Sequence, residues 1–379
     1  MSGTSLDGVD VVIADVSGQD RGLRLHIRAF YSEPYTPSLR ALLQAAATAQ
    51  VFDVTLLCQL NVRLAHVYAD AIRAAAQTAG IDPKRLDLVG SHGQTVRHVP
   101  SAQDCAGLAV ASTWQIGDPS VLAQLLGVPV VGEFRQADMA LGGQGAPLVP
   151  YFDYVIFGDD HETRGCLNLG GIANLTILPA GSAAANVYGF DTGPANMVID
   201  ALAQALLGQP YDKDGAAAAR GTVNCALLVH LLEDPFLRIS PPKSTGRELF
   251  GPEYVSQLLH EGKTLSPEDL IATTTAFTAA SVHRAYESFV ARRHRLDRLV
   301  VSGGGVYNQT LLRMLKKHFG SIPVVRSSEF GIDEDAKEAL CFAVLAHETA
   351  NGHPSGMPSV TGAKHPAILG KICPPSPAL

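Results

Sequence analysis

The sequence is poor in charged and aromatic residues. Only 17% of its 379 residues are Asp, Glu, Lys or Arg and only 6% are Phe, Trp or Tyr, whereas 46% are hydrophobic. This low charge and high apolar content exclude an intrinsically disordered chain. The length exceeds what a single hydrophobic core usually serves, so we expect two domains.

Basic clusters, long apolar runs and paired cysteines are also lacking. The net charge is −7, and the one dense basic run is Arg292–Arg295, so nucleic acid is not an expected partner. No signal-peptide pattern and no apolar run near the ~20 residues of a membrane span occur, and we expect a cytoplasmic protein without a membrane partner. The six cysteines form no CxxC pair, which favours reduced thiols over disulfides or a zinc site.

Strand and helix patterns alternate along the chain. Two β-rich runs predict a hairpin, Asp53 caps a long amphipathic helix, and a strand, glycine turn and strand recur about half a chain later. This order predicts an α/β protein with mixed sheets. We place the first domain at residues 1–130 plus about 345–379 and the second at 131–344. Helices are predicted over Asn196–Leu207, Leu270–Arg292, Asn308–Phe319 and Asp335–Thr349.

Three glycine turns could hold a nucleotide triphosphate. They are Gly3–Gly8, Gly170–Gly171 and Gly303–Gly305. Glycine gives close backbone approach to phosphate, and in the first turn Asp7 could hold Mg²⁺. Each turn alone is typical of an ordinary tight hairpin, but the three together favour nucleotide binding. None fits the Walker or GxGxxG patterns, which disfavours a P-loop NTPase and a Rossmann dehydrogenase.

Asp191 is the candidate acid–base residue. It follows a predicted strand and precedes a predicted helix, so we expect it at the carboxyl end of the strand, where ligands bind in α/β folds. Phosphoryl transfer needs a base beside the attacking hydroxyl or water, and an Asp suits that role. An Asp before a helix is equally well an N-cap, and local chemistry leaves both interpretations open.

Three other side chains have competing interpretations. Arg135 could clamp a carboxylate, or it could form a salt bridge with Glu133 or Asp138 at a domain boundary. His92 lies at a strand end, where a hydrogen-bonded core histidine is the commoner outcome. Glu338 lies in a helical pattern and could be a solvated helix residue.

Seven segments in the same order resemble one family, the anhydro-N-acetylmuramic acid kinases. They are SGTSLDGVD at 2–10, HGQT at 92–95, GGQGAPLVP at 142–150, GGIANLT at 170–176, FDTGP at 190–194, PPKSTGRE at 241–248 and GGG at 303–305. The resemblance implies a two-domain actin-like ATPase (ribonuclease H-like) fold with an active-site cleft between the domains.

The resemblance also implies ligands and residue roles. ATP with Mg²⁺ would bind residues Gly3, Thr4, Ser5, Leu6, Asp7, Gly8, Val9, Asp10, Gly170, Gly171, Gly303 and Gly304, with Asp7 at the metal. Arg135, Glu338 and Gln94 would hold the amino-sugar substrate. Asp191 would activate a water that opens the 1,6-anhydro bridge, and the freed O6 would accept the γ-phosphoryl group of ATP. The product would be N-acetylmuramic acid 6-phosphate, formed in murein recycling.

Two alternatives and two further expectations accompany this interpretation. The chain could phosphorylate another amino sugar, or it could be a non-catalytic actin-like nucleotide switch, although a switch needs no carboxylate clamp such as Arg135. The resemblance suggests a homodimer. Ala195 stands where the family tends to have glycine, and we expect it to be tolerated because a helix start needs no positive φ there.

Overall fold

The computed structural model describes residues 1–3, 6–49 and 51–376, and these form a mixed α/β protein. The chain divides into two compact units, Met1–Ile156 with Glu338–Leu379, and Phe157–Lys337. The predicted α/β class is therefore confirmed. The first unit runs past residue 130, where the sequence suggested a boundary, because residues 131–156 pack onto elements of that unit: the Cys341 thiol, for example, lies 4.0 Å from the Leu148 carbonyl oxygen.

The first unit contains seven strands and seven helices within its described residues. In chain order they are β1 (Gly8–Ser17), β2 (Arg24–Pro34), α1 (Pro37–Thr48), α2 (Val54–Thr78), β3 (Val89–Gly90), β4 (Gln94–Cys105), β5 (Leu108–Ile116), α3 (Pro119–Leu126), β6 (Val130–Gly132), α4 (Gln136–Ala140), α5 (Val149–Phe157), α14 (Lys337–Ala350), α15 (Pro358–Thr361) and β12 (Lys371–Cys373). Helices α5 and α14 each extend one residue into the second unit.

The strands of the first unit form three small groups. β1 and β2 make an antiparallel hairpin, β4 and β5 make another, and β12, β6 and β3 make a three-stranded sheet in that order. Within this sheet β3 is parallel to β6, and β12 is antiparallel to β6. The C-terminal segment thus completes a sheet that begins near residue 89.

The second unit is built around one five-stranded sheet. Its elements are β7 (Arg164–Leu169), β8 (Ile172–Leu178), β9 (Tyr188–Pro194), α6 (Asn196–Leu207), α7 (Ala216–Arg220), α8 (Cys225–Leu231), α9 (Pro235–Arg238), α10 (Arg247–Phe250), α11 (Pro252–Glu261), α12 (Pro267–Phe289), β10 (Arg298–Ser302), α13 (Gln309–Phe319) and β11 (Val324–Arg326). The strand order is β11, β10, β7, β8, β9. β10 is parallel to β7 and β11, and the β7–β8–β9 meander is antiparallel.

Local sequence signals explain the main helices. The Asp53 carboxylate accepts the Leu56 amide at 2.9 Å and caps α2, as predicted. Leu60 and Leu64 are buried on the face that the 3.6-residue period indicated. The predicted helix over residues 196–207 matches α6, and α12, α13 and α14 match the other three to within a few residues. In the described part of the chain, no helix is long and apolar enough to cross a membrane.

Candidate functional site

Asp191 lies inside a strand and not beyond its end. It is the fourth residue of β9, so the prediction that it sits at the strand's carboxyl end is wrong, because β9 continues to Pro194. Its partner across the sheet is Asn174, and the register between β8 and β9 shifts between Ala173 and Asn174. Such a bulge bends a strand locally and re-aims side chains beside it.

The Asp191 carboxylate is held by two donors. Asn174 Nδ2 donates to Oδ1 at 2.8 Å, and the Thr245 amide donates to Oδ2 at 2.8 Å. The N-cap of α6 is Ala195, which makes no side-chain capping bond. The N-cap interpretation of Asp191 is therefore wrong. Ala195 itself has φ −128°, so its backbone is not in the positive-φ region that favours glycine.

The surroundings of Asp191 favour its neutral form. Burial raises the pKa of the Asp191 carboxyl, and Glu248 adds to this, while the bonds from Asn174 and Thr245 and the charge of Lys243 oppose it. A carboxylate with a raised pKa is a better proton acceptor once it is ionised. The environment therefore suits a general base.

Lys243 fixes the segment that carries Thr245. Its buried ammonium group donates to the Phe236 carbonyl at 3.0 Å and lies 4.5 Å from the centre of the Phe236 ring and 5.0 Å from that of Phe289. Its own carbonyl accepts the Asp191 amide at 3.2 Å. Burial lowers the pKa of the Lys243 ammonium to about 8, against the opposing effect of Asp191.

The Gly170–Gly171 turn receives the start of α6. The Gly171 carbonyl accepts the amides of Ala195 and Met197 at 2.9 and 3.1 Å, and the Gly170 carbonyl accepts the Asn196 amide at 3.0 Å. The β7–β8 turn therefore caps α6 through its backbone carbonyls, and the Asn196 side chain adds a bond to the Leu169 carbonyl at 3.0 Å.

The third glycine turn packs against the β7–β8 turn. Gly303 has φ +81°, and a Cβ there would lie 2.6 Å from Asn168 Oδ1. A Cβ on Gly305 would lie 2.6 Å from the Leu169 Cβ. Only glycine allows this approach. The second unit thus brings two of the three predicted nucleotide turns together.

The first glycine turn lies in the other unit. Thr4 and Ser5 lie outside the described residues. Leu6 is buried at φ 56°, and a Cβ on Gly8 would lie 2.4 Å from the Glu33 carbonyl oxygen, so glycine is required where β1 begins. Burial raises the pKa of the Asp10 carboxyl, with Asp7 contributing, although Ser32 donates to it at 2.7 Å. Val9 is buried in β1.

Gln94 is tied to the first glycine turn. It is buried, accepts a hydrogen bond from the Ser2 hydroxyl, and donates through Nε2 to the Gly3 carbonyl at 3.2 Å. The Ser2 hydroxyl is also 2.7 Å from the Tyr35 hydroxyl. These bonds position the segment from Ser2 to Gly3.

Arg135 is paired with His92. Its Nε and Nη2 lie 3.1 and 2.8 Å from His92 Nε2, and Nη1 donates to the Gly145 carbonyl at 2.7 Å. Burial and the charge of Arg135 hold the pKa of His92 well below its ordinary value, so His92 is neutral and accepts at Nε2. Its Nδ1 then donates to the Gly93 carbonyl at 2.8 Å. His92 is thus the hydrogen-bonded core histidine that was the commoner expectation.

The two acidic residues considered as salt-bridge partners of Arg135 bind other groups. Glu133 is paired with Lys371, and the buried Asp138 carboxylate accepts the Gly145 amide at 2.8 Å and the Thr361 hydroxyl at 2.7 Å. Burial lowers the pKa of the Arg135 guanidinium to about 10, which leaves it charged at neutral pH.

Glu338 and the candidate metal ligand Asp7 both lie in the first unit. Glu338 is in the first turn of α14, near enough to Arg135 to raise its pKa. Among the described residues, no three His, Cys, Asp or Glu side chains cluster as a protein-only metal site. Mg²⁺ commonly uses one or two carboxylates together with phosphates and water, so Asp7 and Asp10 fit such a site.

Three residues around Asp191 were not assigned a role from the sequence. Asn174 flanks the second glycine turn, and Lys243 and Thr245 lie in a polar segment that resembles an ordinary surface loop. All three contact Asp191 although they lie 17 to 54 positions away from it in the sequence. A local sequence pattern does not reveal contacts at such separations.

Comparison with known proteins gives one consistent result. The family model described as anhydro-N-acetylmuramic acid kinase matches residues 1–375. A Salinibacter ruber protein with that name is 55% identical over 382 residues, covering 100% of this chain and 96% of the relative. Namesakes from Caldanaerobacter subterraneus and Bacillus cereus are 42% and 40% identical, covering 98% and 99% of this chain and 95% and 98% of their own lengths.

Proposed function

The chain belongs to the anhydro-N-acetylmuramic acid kinase family, and we propose that it uses ATP to phosphorylate 1,6-anhydro-N-acetylmuramic acid. In this reaction water adds to the anomeric carbon, the bond from that carbon to O6 breaks, and O6 takes the γ-phosphoryl group. The products are N-acetylmuramic acid 6-phosphate and ADP. Such a product would feed the recycling of cell-wall murein.

Asp191 acts as the base for the attacking water in this proposal. The observation that carries it is the half-buried carboxylate, oriented by Asn174 and Thr245 and raised in pKa. Asp191 takes the water proton as the oxygen bonds to the anomeric carbon. The negative charge that would develop on O6 is removed by phosphoryl transfer, so one carboxylate is enough.

The nucleotide is assigned to the glycine turns. Gly3–Asp10, Gly170–Gly171 and Gly303–Gly304 would meet the phosphates and the nucleoside through backbone groups. Asp7 and Asp10 would hold Mg²⁺, which when bound neutralises phosphate charge. At Gly303 and Gly8 a Cβ would clash with Asn168 and with the Glu33 carbonyl oxygen, so glycine fixes the backbone of both turns in the positions that these roles require.

Arg135 is assigned to the lactyl carboxylate of the sugar. Three of the five N–H donors of its guanidinium go to His92 and Gly145, which fixes the plane of the group. A rigid, partly buried and charged guanidinium is suited to bidentate carboxylate recognition. Gln94 and Glu338 are proposed as further sugar contacts, with Gln94 acting from its place beside Gly3.

A mass measurement of the product tests the reaction. With ATP, Mg²⁺ and 1,6-anhydro-N-acetylmuramic acid, we expect a product that gains one phosphoryl group and one water. Gain of phosphate without water, or turnover only on another amino sugar, would contradict the proposal. Nucleotide binding with no sugar turnover would favour the switch.

Substitution of Asp191 tests the base. Asp191→Asn should lower kcat by about 10² to 10⁴ while nucleotide binding is kept. Asp214→Asn is the matched control, since Asp214 is an exposed carboxylate of the same unit. Loss of the fold in Asp191→Asn, seen by circular dichroism, or kcat equal to that of the control, would remove Asp191 from the mechanism.

A further inference from the structure

Among the described residues, the side-chain partner of Arg135 is an imidazole and not a carboxylate. Nε and Nη2 of Arg135 lie 3.1 and 2.8 Å from His92 Nε2, and Nη1 donates to the Gly145 carbonyl at 2.7 Å. These bonds use one N–H of each guanidinium nitrogen. A guanidinium has five N–H groups, so one donor on Nη1 and one on Nη2 are left for a ligand. Two such donors match the two oxygens of a carboxylate.

The two acidic side chains nearest to Arg135 in the sequence bind other groups. Glu133 is paired with Lys371, and Asp138 accepts a backbone amide and a threonine hydroxyl at 2.8 and 2.7 Å. The Asp138 carboxylate is fully buried, so turning it toward Arg135 would leave both of these donors without their acceptor. Both acids are therefore held in place by bonds of their own.

The positive charge of Arg135 is only partly compensated. Burial lowers the pKa of its guanidinium to about 10, although Cys341 and Glu338 act in the opposite direction. In a guanidinium neutralised by an ion pair, the charge of the partner would outweigh burial and raise the pKa. An anion that reaches the two remaining donors of Arg135 therefore gains both hydrogen bonds and electrostatic attraction.

His92 is held as a neutral hydrogen-bond acceptor. It is buried, the centre of its ring lies 4.6 Å from that of Phe342, and Nδ1 is 2.8 Å from the Gly93 carbonyl oxygen. Burial and the charge of Arg135 hold the pKa of His92 well below its ordinary value. The ring therefore carries one proton, on Nδ1, and Nε2 is the acceptor that faces Arg135.

An acidic residue at position 92 would also orient Arg135, but it would neutralise the guanidinium. A carboxylate can accept from Nε and Nη2 together, and its negative charge would then oppose the binding of a second carboxylate on the other side of the same group. A neutral imidazole supplies the acceptor without that charge. The choice of histidine thus separates the orientation of Arg135 from its neutralisation.

We propose that His92 is a positioning residue that determines substrate specificity: it orients Arg135 and leaves the positive charge of the guanidinium for a carboxylate substituent of the sugar. The site then selects a 1,6-anhydro amino sugar that carries a carboxylate over the same sugar without one. This inference rests on the proposed function, in which Arg135 binds the lactyl carboxylate, and it adds the residue that makes this contact selective for charge.

Kinetics with two substrates test the role of His92. One is 1,6-anhydro-N-acetylmuramic acid, and the other is its lactyl amide, which has the same shape and no charge. His92→Glu should raise KM for the acid by about 10- to 100-fold, the effect of losing a charged hydrogen bond, and should change KM for the amide much less. The rise in KM for the acid should exceed the fall in kcat. His92→Gln keeps a neutral acceptor and should recover most of the preference for the acid. His66→Glu is the matched control, since it adds the same charge at an exposed position of α2.

Three outcomes would overturn the inference. Equal changes of KM for the acid and the amide in His92→Glu, or the same loss of preference in His66→Glu, would remove His92 from substrate selection. If His92→Glu does not fold, as judged by circular dichroism, His92→Phe removes the acceptor and keeps the contact with Phe342. An unchanged ratio of kcat/KM for acid over amide in that variant would have the same meaning. Failure of the unsubstituted enzyme to phosphorylate the acid would instead reject the proposed function, and this inference with it.

Discussion

At the residue scale, the chemistry of Asp191 depends on side chains whose charges act in opposite directions. Lys243 lowers the pKa of the Asp191 carboxyl, and Glu248 raises it. Asp191 must be ionised to accept a proton, so activity governed by this group rises with pH through its pKa. Each neighbour should therefore shift the acidic side of the pH profile in a predictable direction.

Lys243→Met should move the acidic limb of the pH profile of kcat to higher pH, and Glu248→Gln should move this limb to lower pH. Removing the positive charge favours the protonated carboxyl, whereas removing the negative charge favours the carboxylate. The measurement is kcat against pH for both variants. Lys243→Arg keeps the charge and should restore the original limb if charge is the cause. Shifts in the same direction for Lys243→Met and Glu248→Gln would contradict this account.

At the element scale, the turn after β10 is specified by close packing as well as by backbone conformation. Gly303 and Gly331 both have positive φ, +81° and +77°. A Cβ on Gly303 would lie 2.6 Å from Asn168 Oδ1 and 3.0 Å from the Leu169 carbonyl oxygen, whereas a Cβ on Gly331 would meet nothing within 4 Å. Alanine substitutions at these two glycines therefore separate the cost of the left-handed backbone conformation from the cost of a steric clash.

Gly303→Ala should lose more stability than Gly331→Ala and should also weaken nucleotide binding. Gly331→Ala loses only the free energy of placing alanine in the left-handed conformation, about 1 to 2 kcal/mol. Gly303→Ala has the same cost and must also displace Asn168 or Leu169. Urea unfolding and calorimetric titration with a non-hydrolysable ATP analogue measure the two effects. Unchanged nucleotide affinity in Gly303→Ala would remove this turn from the proposed nucleotide site.

At the scale of the whole molecule, the chain returns to its first unit after residue 337. β12 adds an antiparallel strand to β6, with Cys373 opposite Val130 and Ile372 opposite Val131. Val130 and Val131 are fully buried, so this late segment completes a core whose other strands were formed some 240 residues earlier in the chain. Stability of the first unit therefore depends on its last described strand.

Cys373→Pro should destabilise the first unit by on the order of 2 kcal/mol, because proline removes a backbone donor from the β12–β6 ladder. Cys373→Val is the matched control, since valine keeps the donor and favours strands. Urea unfolding followed by Trp114 fluorescence reports this unit, as Trp114 lies in β5. Equal unfolding midpoints in the two variants would show that the pairing contributes little.

The sequence by itself determined those elements whose signals are local. Apolar periodicity, the Asp53 cap and the glycine turns placed α2, α6, α13 and the two hairpins, because each signal acts within a few residues. The ordered motifs also identified the family.

Only the tertiary structure decided what surrounds Asp191 and Arg135. Asn174, Thr245 and Lys243 reach Asp191 from other elements, and His92 in place of an acidic partner faces Arg135. The N-cap and catalytic interpretations of Asp191 were equal in sequence, since both need the same residue before the same helix. Strand pairing excluded the N-cap interpretation, because hydrogen bonds between distant segments depend on the register of the sheet and not on local pattern.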